Sequence, residues 1–346
     1  MLDLLDRRTL APPAYLKLAP DSETPAAAPR DAPAVLVSLA IPTQRRPDGL
    51  AVAARSTFRQ LGVDPKRLEL VIVDNDAVPS ARALAEALAA EAPFPVRYVH
   101  EPSPGVANAR NAALAAARGE LIAFLDDDEE AAPGWLAALI ETQACYDADV
   151  VFGPVRARAP ASLGDHRAYL ETFFSRDGPT ETGRISHYYG CGDSLVRRAA
   201  LPHPTAPFAA SRNETGGEDD YLFGQMQRAG ARFAWSADAL VYEDPTPGRL
   251  TLGYALARAF AFGQGPTYGC ATSDPPDWLG VARFMATGVV QAGLFGVIAA
   301  FQWLARTPHR AFALDRAVRG VGKVLFGGPF AMKFYGRAAS STPSPV

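Results

Sequence analysis

Cysteine is scarce in this chain: Cys145, Cys191 and Cys270 are the full complement of 3, far apart and without a Cys-x-x-Cys spacing. That excludes a disulfide scaffold and a thiolate zinc site, and it fits a reducing compartment. The 5 histidines include no His-x-x-x-His pair, so an imidazole zinc site is excluded as well. There is no excess of positive charge; the formal net charge of -3 argues against nucleic acid as a partner. No Gly-x-Gly-x-x-Gly or Walker pattern follows the first apolar run, which removes dinucleotide and ATP sites of the usual kind. The first residues, Met1 to Arg8, mix acids with apolar side chains and lead into no apolar h-region, so no secretory signal is expected.

What remains is a chain of 346 residues, 48 % hydrophobic, enough for one sizeable α/β domain with an appendage. Residues 20–34 are rich in Pro and Ala with little to bury, and 1–34 read as a flexible lead-in. The run Val35 to Ile41 is apolar, too short for a stable helix and closed by Pro42, which marks a buried strand. Further strands are expected at Leu68 to Val73, Val96 to Val99, Glu120 to Leu125 and Asp149 to Val155. Helices are expected around Leu50 to Leu61, from Pro79, over Val106 to Arg118 and from Pro133. Alternation of this kind predicts an α/β fold with parallel strands joined by right-handed crossovers. Ligands in such sheets bind beyond the carboxyl ends of the strands. Here those ends carry Pro42-Thr43-Gln44-Arg45, Asp74-Asn75-Asp76 and Asp126-Asp127-Asp128.

Three adjacent carboxylates on an extended segment either raise a pKa or recruit a cation. Oxygen-only ligands next to a phosphate-bearing partner suit Mg²⁺ or Mn²⁺; a solvated acidic turn ahead of Pro133 is the plainer alternative. At the same edge Asp74 suits a base NH or a ribose, Thr43 and Arg45 suit a base or phosphates, and Arg110 lies one turn into a nearby helix. Singly these are more often caps or surface charges; together they outline a nucleotide site. Glu218-Asp219-Asp220 precedes another helical stretch, where acids also serve simply to complement a helix N-terminus.

Four segments carry a resemblance: Ile41-Pro42-Thr43, Val71-Ile72-Val73-Asp74-Asn75, Pro104-Gly105-Val106-Ala107-Asn108-Ala109-Arg110-Asn111 and Phe124-Leu125-Asp126-Asp127-Asp128-Glu129. Over about Val35 to Gly265 the chain resembles the inverting family 2 glycosyltransferases, which have the GT-A fold: a mostly parallel, Rossmann-like sheet flanked by helices. The resemblance implies a glycosyltransferase domain over 35–265 that uses a nucleotide-diphosphate sugar, with a UDP-sugar favoured, and a saccharide or lipid-linked acceptor in cell-surface polysaccharide synthesis. It implies that Thr43 and Asp74 hold the nucleotide; Arg45, Asn75 and Arg110, at the same sheet edge, are counted with that site. Asp126 and Asp127 would face ribose and diphosphate, and Asp128 would bind the metal. Asp219 would be the general base with Glu218 beside it, and Arg249 would close over the diphosphate. Two positions depart from the family pattern. Asp193 stands in a segment that contacts donor sugar or acceptor, where relatives carry Asn, and Glu243 stands near a position where relatives place a metal-binding His, for which its oxygens could substitute. A non-catalytic module of the same fold is the alternative reading, against which intact Asp128 and Asp219 weigh. A sugar-nucleotide-forming transferase would need glycines that Pro42 to Arg45 lacks.

The last region, 266–346, is expected to be helical and membrane-associated. Phe284 to Ala305 contains no Asp, Glu, Lys or Arg, a length sufficient to span a hydrocarbon core of about 30 Å. A basic flank follows: Arg306, Arg310, Arg316, Arg319, Lys323, Lys333 and Arg337. Since nucleotide sugars are cytoplasmic, a single crossing would put that flank outside, against the positive-inside tendency. The expected place is therefore the cytoplasmic face of the inner membrane. Anchorage there would be by a helix lying in the interface or by a re-entrant hairpin with Leu325 to Met332; a buried helix of a soluble bundle is the alternative.

Overall fold

A computed structural model describes residues 35–213 and 216–330. The lead-in, Lys333 and Arg337 lie outside the described residues.

The chain alternates as expected through its first half: β1 (Val37–Thr43), α1 (Pro47–Phe58), β2 (Leu68–Asp74), α2 (Arg82–Glu91), β3 (Val96–His100), α3 (Val106–Ala116) and β4 (Leu121–Phe124). β1 and β2 are buried along nearly their whole length, which is why they read as unbroken apolar runs. Pro47 occupies the first turn of α1, where its missing N–H has no cost. After β4 the pattern loosens: β5 (Glu129–Ala131), α4 (Trp135–Tyr146), β6 (Val150–Phe152), β7 (Val155–Ala157), α5 (Arg167–Phe174), β8 (Gly183–Ile185) and β9 (Ser194–Arg197). Then come α6 (Glu218–Arg228), β10 (Phe233–Trp235), β11 (Val241–Glu243), α7 (Leu252–Ala271), α8 (Trp278–Leu304) and α9 (Arg310–Val324).

One sheet has the order β3-β2-β1-β4-β9-β6-β10-β8 and a second has β5-β11-β7. The larger sheet is mixed. β1, β2, β3 and β4 are parallel, as are β6 and β10, but β9 runs antiparallel between β4 and β6, and β8 is an antiparallel edge. The expected strand Asp149 to Val155 is in fact two. Gly153-Pro154 breaks the run, since proline has no ladder donor, and β7 leaves for the smaller sheet. Cores fill both faces of the larger sheet: Leu39, Ile41, Leu70, Ile72 and Trp135 on one, Val71, Phe124, Phe152 and Phe223 on the other. Phe152 meets Phe223, Phe233 and Tyr189 edge-on at 5.1, 6.0 and 5.8 Å between centroids. Truncating so enclosed a ring costs roughly 3–5 kcal/mol.

The expected domain boundary at 265/266 falls inside α7, which packs on α9 and on α5. α9 lies between α7 and α8, with backbones in close approach. A Cβ on Gly322 would stand 2.2 Å from the Phe260 carbonyl oxygen, and one on Gly320 2.6 Å from the Ala292 nitrogen. The partner of α8 is thus α9. Beyond it Gly327-Gly328-Pro329 admits a single 3₁₀ turn, Gly328–Phe330, over part of Leu325 to Met332, the segment of the re-entrant alternative; Ala331 and Met332 lie outside the described residues. α8 is the described helix long and apolar enough to cross a membrane, with a mean hydropathy of 1.8. It turns outward an almost uninterrupted apolar stripe: Leu279 (82 % exposed), Val290, Leu294, Val297, Phe301 (70 %) and Leu304 (84 %).

Candidate active site

The carboxyl ends of β1, β2 and β4 bring Thr43, Asp74 and the Asp126–Asp128 segment to one edge, because the three strands are parallel and in register. Helix α1 presses on that segment. A Cβ on Gly49 would lie 2.2 Å from the Asp127 carbonyl oxygen, so the glycine fixes how closely the helix approaches.

The three aspartates differ. Asp127 is buried; its Oδ2 accepts from the Thr43 hydroxyl at 2.8 Å and its Oδ1 from Arg46 Nη1 at 3.0 Å. Burial, with help from the Asp128 charge, pushes its carboxyl up to about 6, against the opposing pull of Arg46. Asp128 Oδ2 accepts from two guanidinium groups, Arg46 at 2.8 Å and Arg249 at 3.0 Å. Arg249 also reaches Glu243 Oε1 at 3.5 Å and stacks over the Phe174 ring. Asp126 is the most exposed of the three, and its Oδ1 lies 3.3 Å from Arg110 Nη2.

Sequence reasoning placed Arg45 at this centre, but Arg45 turns outward to a two-point pair with Asp76 at 2.8 and 2.9 Å. Its left-handed backbone, φ 56°, sends the next side chain inward, so Arg46 reaches the aspartates. Asp74 is fully buried and spends its oxygens on the Ala81 N–H (2.7 Å), the Tyr98 hydroxyl (2.9 Å) and the Ser80 hydroxyl (3.4 Å). Asn75 pins the following turn, donating to the Glu101 and Ser103 carbonyls and accepting from the Gly105 N–H.

Arg110 joins the two halves of the site. Buried, it bonds Glu218 Oε1 at 2.5 Å with one nitrogen and faces Asp126 with the other. Glu218 is itself buried, and burial raises its carboxyl above the usual range while Arg110 opposes the rise. Asp219, one residue on, is more open. Its Oδ2 accepts from the Cys191 N–H at 3.1 Å, at the first turn of α6, where the helix dipole favours an anion.

Asp193 has no exposed surface: Trp135 Nε1 donates to its Oδ1 at 2.7 Å and Arg176 Nη2 lies 3.3 Å from its Oδ2. Burial lifts its carboxyl to about 7, against the pull of Arg176 and Trp135. Two contributors were given no role by the sequence, although Glu129 closes one of the resembling segments. Arg176 belongs to no motif, and Glu129 reaches back to accept from the Asp126 N–H at 2.8 Å. Glu129 is held well above its ordinary value by burial and by the Asp126 and Asp193 charges. Glu243 is pushed up to about 8 by burial and then by Asp128, with Asp126 adding to the rise.

Asp126, Asp128 and Glu243 therefore form a crowded set of hard oxygen donors, partly answered by Arg46 and Arg249. Among the described residues no group of three or more His, Cys, Asp or Glu is arranged to hold a metal by itself. The set fits a hard divalent ion whose shell substrate phosphates complete, the usual pattern for Mg²⁺.

The family described as Glycosyl transferase family 2 matches residues 38–203. The succinoglycan biosynthesis protein ExoM of Rhizobium meliloti (strain 1021) is 35 % identical over 294 residues, 83 % of this chain and 91 % of that protein. Among solved structures, the mannosyltransferase PcManGT from Pyrobaculum calidifontis, in complex with GDP-Man and Mn²⁺, aligns with a TM-score of 0.55 at 18 % identity, over 87 % of this chain and 91 % of that one. S. aureus TarS in complex with UDP aligns with a TM-score of 0.51 at 16 % identity, over 84 % and 90 %. With its aspartate-lined strand ends in a GT-A-like fold and a relative matched over nearly its whole length, the chain belongs to glycosyltransferase family 2 and is a transferase.

Proposed function

We propose that the protein transfers a sugar from a nucleoside-diphosphate donor, a UDP-sugar by preference, to a saccharide or lipid-linked acceptor, by single displacement with inversion, in the assembly of a surface polysaccharide. The ExoM likeness supports the polysaccharide setting, and the UDP and GDP-Man complexes of the fold neighbours support the donor class. One observation carries the mechanism. Buried Arg110 ties Glu218 to Asp126 and so holds the open carboxylate of Asp219 at the same floor as the donor-facing aspartate.

In this reading Asp219 takes the proton from the attacking acceptor hydroxyl, with the Cys191 N–H holding its other oxygen still. Glu218, neutralised by Arg110, positions that cation and is not itself the base. Thr43 and Arg46 orient Asp127 toward the donor, and Asp74 and Asn75 shape the nucleoside pocket through the turns they pin. Asp193 supports the loop ahead of β9 from beneath. A divalent ion, Mg²⁺ or Mn²⁺, would be held by Asp128 with Glu243 behind it; when bound it supplies positive charge against the departing diphosphate. Arg249 and Arg46 would then face phosphate oxygens and exclude water from them.

The same proposal places the enzyme on the cytoplasmic face of the inner membrane. At 27 residues α8 is long enough to cross, but α9 is bound along it: Gln291 Nε2 donates to the Arg316 carbonyl and Lys323 Nζ to Gln291 Oε1, both at 2.7 Å. A crossing would carry Arg316, Arg319 and Lys323 into hydrocarbon, at about 2.5–3.5 kcal/mol per charge near the centre. An in-plane seat wets those charges and buries only the outward stripe of α8.

The test is Asp219→Asn. Turnover is expected to fall by roughly 100-fold or more, while calorimetric binding of UDP or GDP with Mn²⁺ is retained. Full turnover in that variant excludes Asp219 as the base.

A further inference from the structure

Arg176 follows α5 and is fixed at its backbone by two hydrogen bonds to Val155, of 2.8 and 3.1 Å. Its guanidinium reaches into the loop before β9. Nε donates to the Gly153 carbonyl at 3.0 Å, Nη1 to the Gly190 carbonyl at 2.9 Å, and Nη2 to the Gly192 and Asp193 carbonyls at 2.8 and 3.1 Å. Three carbonyls of one loop, and a fourth at Gly153, are thus held by one planar fork, a geometry that a lysine cannot reproduce.

That loop touches the chemistry twice. Its Cys191 N–H is the donor to Asp219 Oδ2 at 3.1 Å. Its Gly192 sits so tightly under the donor side that a Cβ there would lie 2.7 Å from Asp126 Oδ2 and 3.0 Å from Glu129 Oε1. The loop has few other fixings. Asp193, in the left-handed region at φ 52°, anchors its far end to Trp135, and Ser194 closes onto the Cys191 carbonyl at 2.6 Å. The Gly190 and Gly192 carbonyls turn to Arg176, and the Cys191 N–H turns the opposite way, to Asp219. Losing the fork frees the peptide planes that aim this N–H.

We infer that Arg176 is a positioning residue: by holding the Gly190, Gly192 and Asp193 carbonyls it aims the Cys191 N–H at Asp219 and so fixes the orientation of that carboxylate. The functional consequence rests on Asp219 being the base, whereas the structural relay can be measured without substrate.

The experiment is NMR of the Cys191 amide in the full chain, its hydrogen exchange and proton shift, for wild type, Arg176→Lys, Arg176→Met and the double variant Arg176→Met with Asp193→Asn. The expected result in all three variants is exchange of the Cys191 amide faster by roughly 10-fold and an upfield move of its proton as the bond to Asp219 is lost, with the amides of β1 and β2 unchanged. Arg176→Lys keeps a positive charge opposite Asp193. If the arginine served only to balance that buried charge, Lys and the double variant would both behave as wild type, and the inference would be overturned. A wild-type Cys191 amide in any folded variant also overturns it. The double variant leaves no unpaired buried carboxylate, so it guards against simple unfolding of Arg176→Met. If Asp219→Asn retains full turnover while Arg176→Lys still frees the Cys191 amide, the base assignment fails and the relay stands.

Discussion

At the scale of single residues, the site is a set of charges that burial has pushed toward neutrality and arginines have pulled back. Asp193 shows the balance in measurable form. Its folded value of about 7 lies above its ordinary 3.8, so the native state holds a proton that the unfolded chain has lost. Stability from this group is present below about pH 4 and is lost as pH rises through 7, on the order of 1 kcal/mol per unit at most. Asp193→Asn keeps an acceptor for Trp135 and carries no charge. It is expected to flatten the fall in melting temperature between pH 5 and pH 8, as followed by calorimetry. At Asp128, Ala substitution is expected to abolish any Mn²⁺ dependence of UDP or GDP binding, read by titration with and without the ion. Metal-independent binding of equal strength in wild type would remove the ion from the donor site. The candidate residues at strand ends were legible in the sequence because a buried strand announces where it stops. Arg46 was not, because the inward turn depends on one left-handed residue before it. Arg176 was not, because its partners lie 14 to 23 positions away with no motif between.

Among the elements, β1, β2 and β4 could be read directly, since burial on both faces keeps the runs apolar but for Ser38 and Glu69, which bond each other. The second half of the sheet could not. β6, β9 and β10 are three or four residues each, and a short apolar segment does not encode its neighbour or its direction. The α7–α9 assembly likewise has a determinant that periodicity misses: glycines where helix backbones meet. Gly263 faces the Arg319 carbonyl at 2.3 Å from a built Cβ, and Gly320 and Gly322 face α8 and α7 in the same way. Gly320→Val is therefore expected to part α9 from α8 and destabilise the fold by roughly 1–3 kcal/mol. Hydrogen exchange would show it as lost protection across 310–324, with β1 and β2 unchanged.

For the whole molecule the question is what covers α8. With the in-plane seat, Leu294→Glu together with Phe301→Glu should leave melting temperature and nucleotide binding intact and abolish co-flotation with vesicles of mixed anionic and zwitterionic lipid. Flotation that survives both charges would place the contact elsewhere. The tertiary join between the two regions also bears on this. Tyr169 donates to Asp315 at 3.0 Å, Phe173 packs on Phe262, and Arg310 pairs with Asp165 at 2.9 Å, so α5 and the C-terminal helices move as one piece. None of this was legible from the apolar run Phe284 to Ala305, which reports length and composition but not what lies alongside.

The double engagement of Asp128 by Arg46 and Arg249 makes the resting cleft self-screened. With its carboxylates already answered from within the chain, the cleft presents a weak field to a free ion in solution. A ligand that brings both an anion and a cation offers the two arginines a new partner and Asp128 a replacement charge, so the arginines can leave without stranding it. Selectivity would then begin as an exchange of counter-ions: a lone cation or a neutral sugar lacks the currency to open the site, and a phosphate-bearing donor with its cation has it.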